Sequence, residues 1–121
     1  MEKYLNQEQG LSFVDGDKDL YKMLLDAYLE ENKFDFGTLD AAIHKKDFEA
    51  AAKIVHKTKG ASYQIGAQKI GDMAQVLEDI FRGKAEPPAS QRSAQELQAL
   101  AADFYAAYQA CLEEVKKTRT I

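Results

Sequence analysis

The residues best suited to chemistry are His56, Lys59 and Gly60, which lie close together on one predicted helix. On a helical wheel of about 100° per residue, one side carries Phe48, Ala51, Ile54, Val55, Thr58, Ala61, Ser62 and Ile65. The side around the direction of His56 carries Glu49, Lys53, Gly60, Tyr63, Gln64 and Ala67. The first side is the predicted core face, so His56 is predicted to face solvent or a partner.

The neighbours of His56 distinguish it from an incidental surface histidine. Lys59, one turn later, places an ammonium where it would lie beside an anion attached to the imidazole. Gly60 costs about 1 kcal/mol relative to alanine inside a helix, and its position on the His56 side favours access for another macromolecule. Lys53 and Lys57 add positive potential and indicate an acidic docking partner, although Lys53 also fits an ordinary solvated position.

Other candidate sites are weaker. Asp15, Asp17 and Asp19 imitate the start of a calcium loop, but the required glycine and glutamate are missing, so capping of a helix start is the better interpretation. His44 is interpreted as a solvated or helix-terminal residue. Cys111 has no second cysteine to pair with, and its spacing is that of a small core residue.

Length and composition predict one all-α domain over residues 1–121, with a core of about 11–117. Leu, Ala, Lys, Glu and Gln dominate, and the alternating pattern of strands is missing. The formal net charge of -4 argues against nucleic acid as a partner. Two histidines without a Glu-x-x-His pair make a metal centre improbable. No apolar run approaches the roughly 18 residues of a membrane span and no signal peptide is evident, which predicts a cytoplasmic protein without membrane contact.

Hydrophobic periodicity predicts long helices over about 17–33, 47–66, 67–82 and 93–116, with a short helix over about 38–45. Gly66 is a predicted break, and Gly83 with Pro87-Pro88 is another. Ser93 has the form of a capping box with the glutamate three residues later. The prediction is an antiparallel four-helix bundle with short extra N-terminal and connecting helices.

These residues resemble the signature of the histidine-containing phosphotransfer (HPt) domains of multistep two-component phosphorelays. His56-x-x-Lys59-Gly60, followed by Ala61-Ser62 and Ile65-Gly66-Ala67, is similar to the family's His-x-Leu-Lys-Gly-Ser/Ala…Leu-Gly-Ala pattern. The resemblance extends from about residue 11 to the last helix. It includes Asp15-Gly16-Asp17 before the apolar segment 20–25, the Lys46-Asp47 turn and Leu77-Glu78.

The resemblance implies a phosphohistidine carrier rather than an enzyme. His56 would accept a phosphoryl group from the aspartyl phosphate of a response-regulator receiver domain and pass it to the aspartate of another, with a hybrid sensor histidine kinase as a further partner. Lys59 would offset charge on the phosphoryl oxygens. Gln64 would hydrogen-bond the phosphoryl group or orient the ring, with simple solvation as an equal alternative. The chain would need no cofactor, because the Mg²⁺ would belong to the receiver domain.

Two positions depart from the family pattern. Thr58 replaces a large apolar residue on the predicted core face, so its hydroxyl needs a helix carbonyl as a partner. Tyr63 stands where the family commonly has a small residue, almost under His56 on the predicted docking face. Tyr63 would restrict which receivers fit or supply an aromatic contact.

Two alternatives stay open at this point. The first is a helical-bundle adaptor that keeps the scaffold and binds receiver or kinase domains without accepting phosphate. The second is a phosphoacceptor domain cut from a larger chemotaxis-type kinase. The Met1 start and the absence of a trailing linker favour a free-standing carrier, which we expect to be a monomer.

Overall fold

The computed structural model describes residues 4–31 and 33–119, and every regular element within these ranges is a helix. The α-helices are α1 (Gln7–Ser12), α2 (Lys18–Glu30), α3 (Phe36–His44), α4 (Phe48–Ile65), α5 (Gln68–Phe81) and α6 (Ala94–Arg119). A 3₁₀ turn at Ala89–Gln91 lies between α5 and α6. The predicted all-α class is confirmed, as are the four long helices of the bundle, which are α2, α4, α5 and α6.

Aspartates define where three of these helices begin. The side chain of Asp17 accepts a hydrogen bond from the backbone N–H of Leu20, and Asp47 accepts one from Ala50. At the start of α3, the side chain of Asp35 accepts a hydrogen bond from the backbone N–H of Gly37. Each cap satisfies a backbone donor that the first helical turn leaves without a partner and contributes about 1 kcal/mol. The capping interpretation of Asp17 is therefore confirmed.

The helix that carries His56 ends in a tight turn at Gly66. Gly66 has a left-handed backbone, with φ of 87°, and the following N–H of Ala67 donates to the Ser62 carbonyl at 2.9 Å. Such a turn reverses the chain within two residues, so α4 and α5 form an antiparallel hairpin. The two helices pack against each other more extensively than any other pair in the described chain.

The core of the bundle is continuous and partly aromatic. Phe34 lies 5.2 Å from Phe104 and 5.5 Å from Tyr108, measured between ring centroids. The largest fully buried residues include Tyr28, Phe104, Leu25, Leu39, Ile43, Ile65, Ile70 and Leu97. Cys111 is fully buried, and burial raises the pKa of its thiol to about 12, so the prediction of a core cysteine is confirmed.

Two residues differ from the helical wheel. Ala67, placed there on the solvent side with His56, is fully buried because α4 ends at Ile65 and the wheel no longer applies beyond Gly66. Leu20, predicted to lie on the apolar face of α2, is 40% exposed.

The hydroxyl of Thr58 donates to the Ile54 carbonyl at 3.4 Å, as predicted for a buried threonine in a helix.

The turn at Gly66 gives a prediction about stability. Gly66 and Gly83 both have a positive φ, but an added Cβ at Gly66 would collide with the backbone of Asn6, whereas nothing lies within 4 Å of one at Gly83. We expect Gly83→Ala to lower the free energy of unfolding by about 1 kcal/mol and Gly66→Ala by about 3 kcal/mol. Urea denaturation of both variants measures the difference, and equal losses would contradict the assigned steric role of Asn6.

Candidate functional site

His56 lies at the surface of the α4–α5 hairpin with one ring nitrogen turned toward a buried carboxylate. Its Nδ1 is 3.0 Å from Oε2 and 3.2 Å from Oε1 of Glu78, on α5. The side chain of His56 is 59% exposed, whereas that of Glu78 is 8% exposed. With a carboxylate as the acceptor, Nδ1 carries the proton in the neutral ring, and Nε2 on the other edge keeps its lone pair.

Two cations complete the surroundings of Glu78. Lys59 Nζ, from α4, lies 2.8 Å from Oε1, and Nε of Arg82, the residue that follows α5, lies 2.8 Å from Oε2. The lysine is largely covered, with a side-chain exposure of 17%. A buried carboxylate that accepts from three donors is held in one position, because moving it would break several charge-assisted hydrogen bonds together.

The charge state of Glu78 follows from these contacts. Burial alone raises its pKa, but the hydrogen bonds from Lys59, Arg82 and His56 outweigh that effect and lower the pKa from 4.5 to about 2. Glu78 is therefore ionised near neutral pH. It can accept the Nδ1 proton of His56 as a hydrogen bond and stabilise positive charge on the ring.

Lys59 has a second acceptor on α5. Its Nζ donates to Oε1 of Gln75 at 2.9 Å, and Nε2 of Gln75 donates to Oδ1 of Asp79 at 2.9 Å. These bonds hold the ammonium between the two helices, close to the residue that carries the imidazole. The structure thus brings the predicted pair His56 and Lys59 together through α5.

The other predicted site residues lie on the surface around this cluster. Gly60 is exposed, and an added Cβ there would have nothing within 4 Å, so no side chain stands at this position one turn after His56. Lys53 and Lys57 are both exposed, and Nζ of Lys53 lies 3.5 Å from Oε1 of Glu49. Gln64 is also exposed, and the orienting contact to the imidazole comes from Glu78 instead.

Tyr63 lies across α5 rather than standing upright on the surface. Its hydroxyl donates to Oδ1 of Asp72 at 2.6 Å, and its ring occupies the space that a side chain at Gly71 would need. Burial and the bond to Asp72 raise the pKa of the phenol to about 12, so it stays a donor at neutral pH. Gly71, in the first turn of α5, therefore leaves the space that the Tyr63 ring occupies.

Glu78, Gln75 and Arg82 are the residues of the cluster to which sequence reasoning assigned no role. Their positions depend on how α4 and α5 face each other across the Gly66 turn, and a single helical wheel does not supply that register. Two signals in the sequence point to Glu78. The family resemblance includes Leu77-Glu78. Glu78 also lies between the buried Leu77 and Ile80, so a charged side chain borders the core stripe of α5, where an ionic partner is needed.

His44 lies apart from this cluster, at the end of α3, where its ring contacts the amide of Gln98 on α6. Its predicted helix-terminal place is confirmed. Among the described residues, no group of three or more His, Cys, Asp or Glu side chains is arranged to hold a metal ion. Within the same ranges, no helix combines the length and apolar character that crossing a membrane requires.

The fold and the site together define a class of protein, a small helical bundle that presents one imidazole on the surface of a helical hairpin. The model of the Hpt domain family matches residues 23–117, and the chain belongs to that family. The match includes all of α3, α4 and α5 and most of α6. Comparisons with curated proteins and with solved structures found no match.

The depressed pKa of Glu78 gives a prediction about acid stability. A carboxyl group with a lowered pKa in the folded state stabilises the fold above its unfolded pKa, near 4.5, and that contribution is lost as the pH falls toward about 2. We expect Glu78→Gln to remove part of the decline in unfolding free energy between those pH values. Chemical denaturation at several pH values measures this change in the unfolding free energy.

Glu49→Gln is the matched control, because that glutamate is 78% exposed and, within the described ranges, forms its one ion pair with Lys53, at 3.5 Å. Its stability profile should follow the unmodified protein. A Glu78→Gln profile with an unchanged acid slope would contradict the ionised, paired state of Glu78.

Proposed function

We propose that this chain is a histidine phosphotransfer protein that relays a phosphoryl group between receiver-domain aspartates through phospho-His56. The observation that carries the proposal is the pairing of Nδ1 of His56 with the buried carboxylate of Glu78 on an otherwise exposed ring. This pairing leaves Nε2 as the nucleophilic nitrogen on the exposed ring. Membership of the Hpt family supports the same chemistry.

The transfer step balances without a base on this chain. The lone pair of His56 Nε2 attacks the phosphorus of an aspartyl phosphate, the N–P bond forms, and the P–O bond to the aspartate breaks. The aspartate leaves as a carboxylate. The Nδ1 proton stays on the ring, which gains positive charge, and the carboxylate of Glu78 lies 3.0 Å from that nitrogen to stabilise it. The reverse reaction on a second receiver uses the same contacts.

Lys59 supplies positive charge to the phosphoryl oxygens. In the transition state, the phosphoryl group is loosely bonded to both the attacking nitrogen and the leaving oxygen. Its negative charge is spread over its oxygens, so cations beside it lower the barrier. The Lys59 ammonium is already fixed by its bond to Glu78 at 2.8 Å, so little side-chain entropy is lost when the phosphoryl group arrives. The Mg²⁺ that such a reaction also needs belongs to the receiver domain in this proposal.

The docking surface for the receiver is proposed around Gly60. Gly60 allows close approach, and the exposed ammonium groups of Lys53 and Lys57 attract the acidic pocket of a receiver. Tyr63 offers part of its ring on the same helix, and Gln64, which is exposed on α4, would bond a phosphoryl oxygen in this proposal. We propose that the protein acts in the cytoplasm as a monomeric carrier, with a hybrid sensor kinase at the start of the relay.

The sequence permits a direct test of the phosphorylated residue, because the chain holds two histidines, His44 and His56. The purified protein is incubated with a phosphorylated receiver domain and Mg²⁺, and acid-labile, base-stable phosphate on it is measured. We expect label on the unmodified protein and on His44→Gln, and none on His56→Gln. If several receivers bind the unmodified protein but leave no label, the chain is an adaptor and the proposal is wrong.

The role of Lys59 is tested by the dependence of the transfer rate on receiver concentration. We expect Lys59→Ala to lower the maximal rate by about 10- to 100-fold, because a fixed cation is lost from the developing charge. The concentration of receiver at half-maximal rate should change little. Lys116→Ala, which removes an exposed lysine on α6, is the control and should keep the full rate. Rapid-quench kinetics measure the maximal transfer rate of both variants. An unchanged maximal rate for Lys59→Ala would contradict the assigned role.

A further inference from the structure

Gln75 links two charged groups beside the site. Its Oε1 accepts from Lys59 Nζ at 2.9 Å, while its Nε2 donates to Oδ1 of Asp79 at 2.9 Å. Only one orientation of the amide satisfies both neighbours, because the reverse would set a donor against the ammonium and an acceptor against the carboxylate. The side chain of Gln75 is thus fixed at both ends.

The bonds of Lys59 leave part of its ammonium for a ligand. An ammonium has three N–H donors, and Glu78 and Gln75 accept two of them, at 2.8 Å and 2.9 Å. Glu78 shares its own charge among Lys59, Arg82 and the His56 ring. Among the residues that the structure describes, the positive charge of Lys59 is therefore only partly balanced, and one N–H donor is left for a phosphoryl oxygen.

Asp79 is the group that could neutralise the remaining positive charge of Lys59. It follows Glu78 on α5 and is half-buried, and Gln75 stands between it and Lys59. If the Asp79 carboxylate paired with Lys59 as well, the ammonium would face two carboxylates. An ammonium held by two anions attracts a phosphoryl dianion more weakly, and the second anion also repels the dianion directly. A neutral amide at this position avoids both effects.

We propose that Gln75 is a positioning residue for phosphoryl transfer, which holds the Lys59 ammonium beside Glu78 and keeps the Asp79 carboxylate away from it. The inference rests on the proposed function of His56. In this proposal Gln75 does not touch the phosphoryl group and acts through Lys59.

The first arm of the test compares Gln75→Ala with the unmodified protein in transfer from a phosphorylated receiver with Mg²⁺. We expect the maximal rate to fall about 5-fold, less than for loss of Lys59 itself, with the half-saturating receiver concentration unchanged. The double variant Gln75→Ala/Asp79→Asn should recover most of the rate, because the competing charge is gone. Gln68→Ala, a glutamine at the start of the same helix, is the matched control and should transfer at the full rate.

The second arm asks whether Gln75 acts through Lys59. In a Lys59→Ala background, Gln75→Ala should cause no further loss of rate, because residues that act as one unit are not additive. Gln75→Glu has nearly the same shape, and its added charge should slow transfer more than Gln75→Ala does. Unfolding midpoints of all variants show whether any rate loss reflects loss of fold.

Three results would overturn the inference while His56 is still labelled. They are a normal rate for both Gln75 variants, a loss that Asp79→Asn does not restore, and a loss of equal size in the Lys59→Ala background. Absence of label on the unmodified protein would instead refute the proposed function, and this inference would fail with it.

Discussion

The carboxylate of Glu78 is the group on which the arrangement of the site depends. It is the acceptor shared by the imidazole of His56, the ammonium of Lys59 and the guanidinium of Arg82, at distances of 2.8 to 3.0 Å. Removing any one donor leaves a buried charge less compensated, so the three donors and the acceptor are mutually stabilising. One anion thereby fixes the tautomer of the ring and the place of the nearest cation.

Close packing of α4 on α5 makes this sharing possible. Both helices carry small buried residues, Ala51 and Ala52 on α4 and Gly71 and Ala74 on α5, and the Tyr63 ring of α4 lies directly over Gly71. Side chains of that size let the two helix axes approach, so charged groups on opposite helices can meet across the edge of the contact. The Gly66 turn sets the register, because it leaves two residues between the helices. The packing of this hairpin therefore determines where its charged groups meet.

Much of this arrangement was predictable from the sequence, and the remainder depends on relations between helices. Periodicity and Asp caps located the helices to within a few residues, and the wheel predicted the exposed side of His56. The wheel failed at Ala67, since it describes one continuous helix and the chain turns at Gly66. It also gave no partner for Tyr63, whose ring lies on α5 at Gly71. Pairings between residues about twenty positions apart need the register of two helices, which no pattern within one helix contains.

The contacts of α1 and α2 with the Gly66 turn bear on the size of the working unit. The family match begins at residue 23, inside α2, yet Tyr21 donates its hydroxyl to the Ile65 carbonyl at 2.8 Å. The backbone N–H of Asn6 donates to the Gly66 carbonyl at 3.0 Å, and Gly10 packs without a side chain against Ile65. Residues outside the family signature thus close the end of the hairpin that carries His56. The folded unit that supports the hairpin therefore extends beyond the matched residues 23–117 and includes Asn6, just before α1.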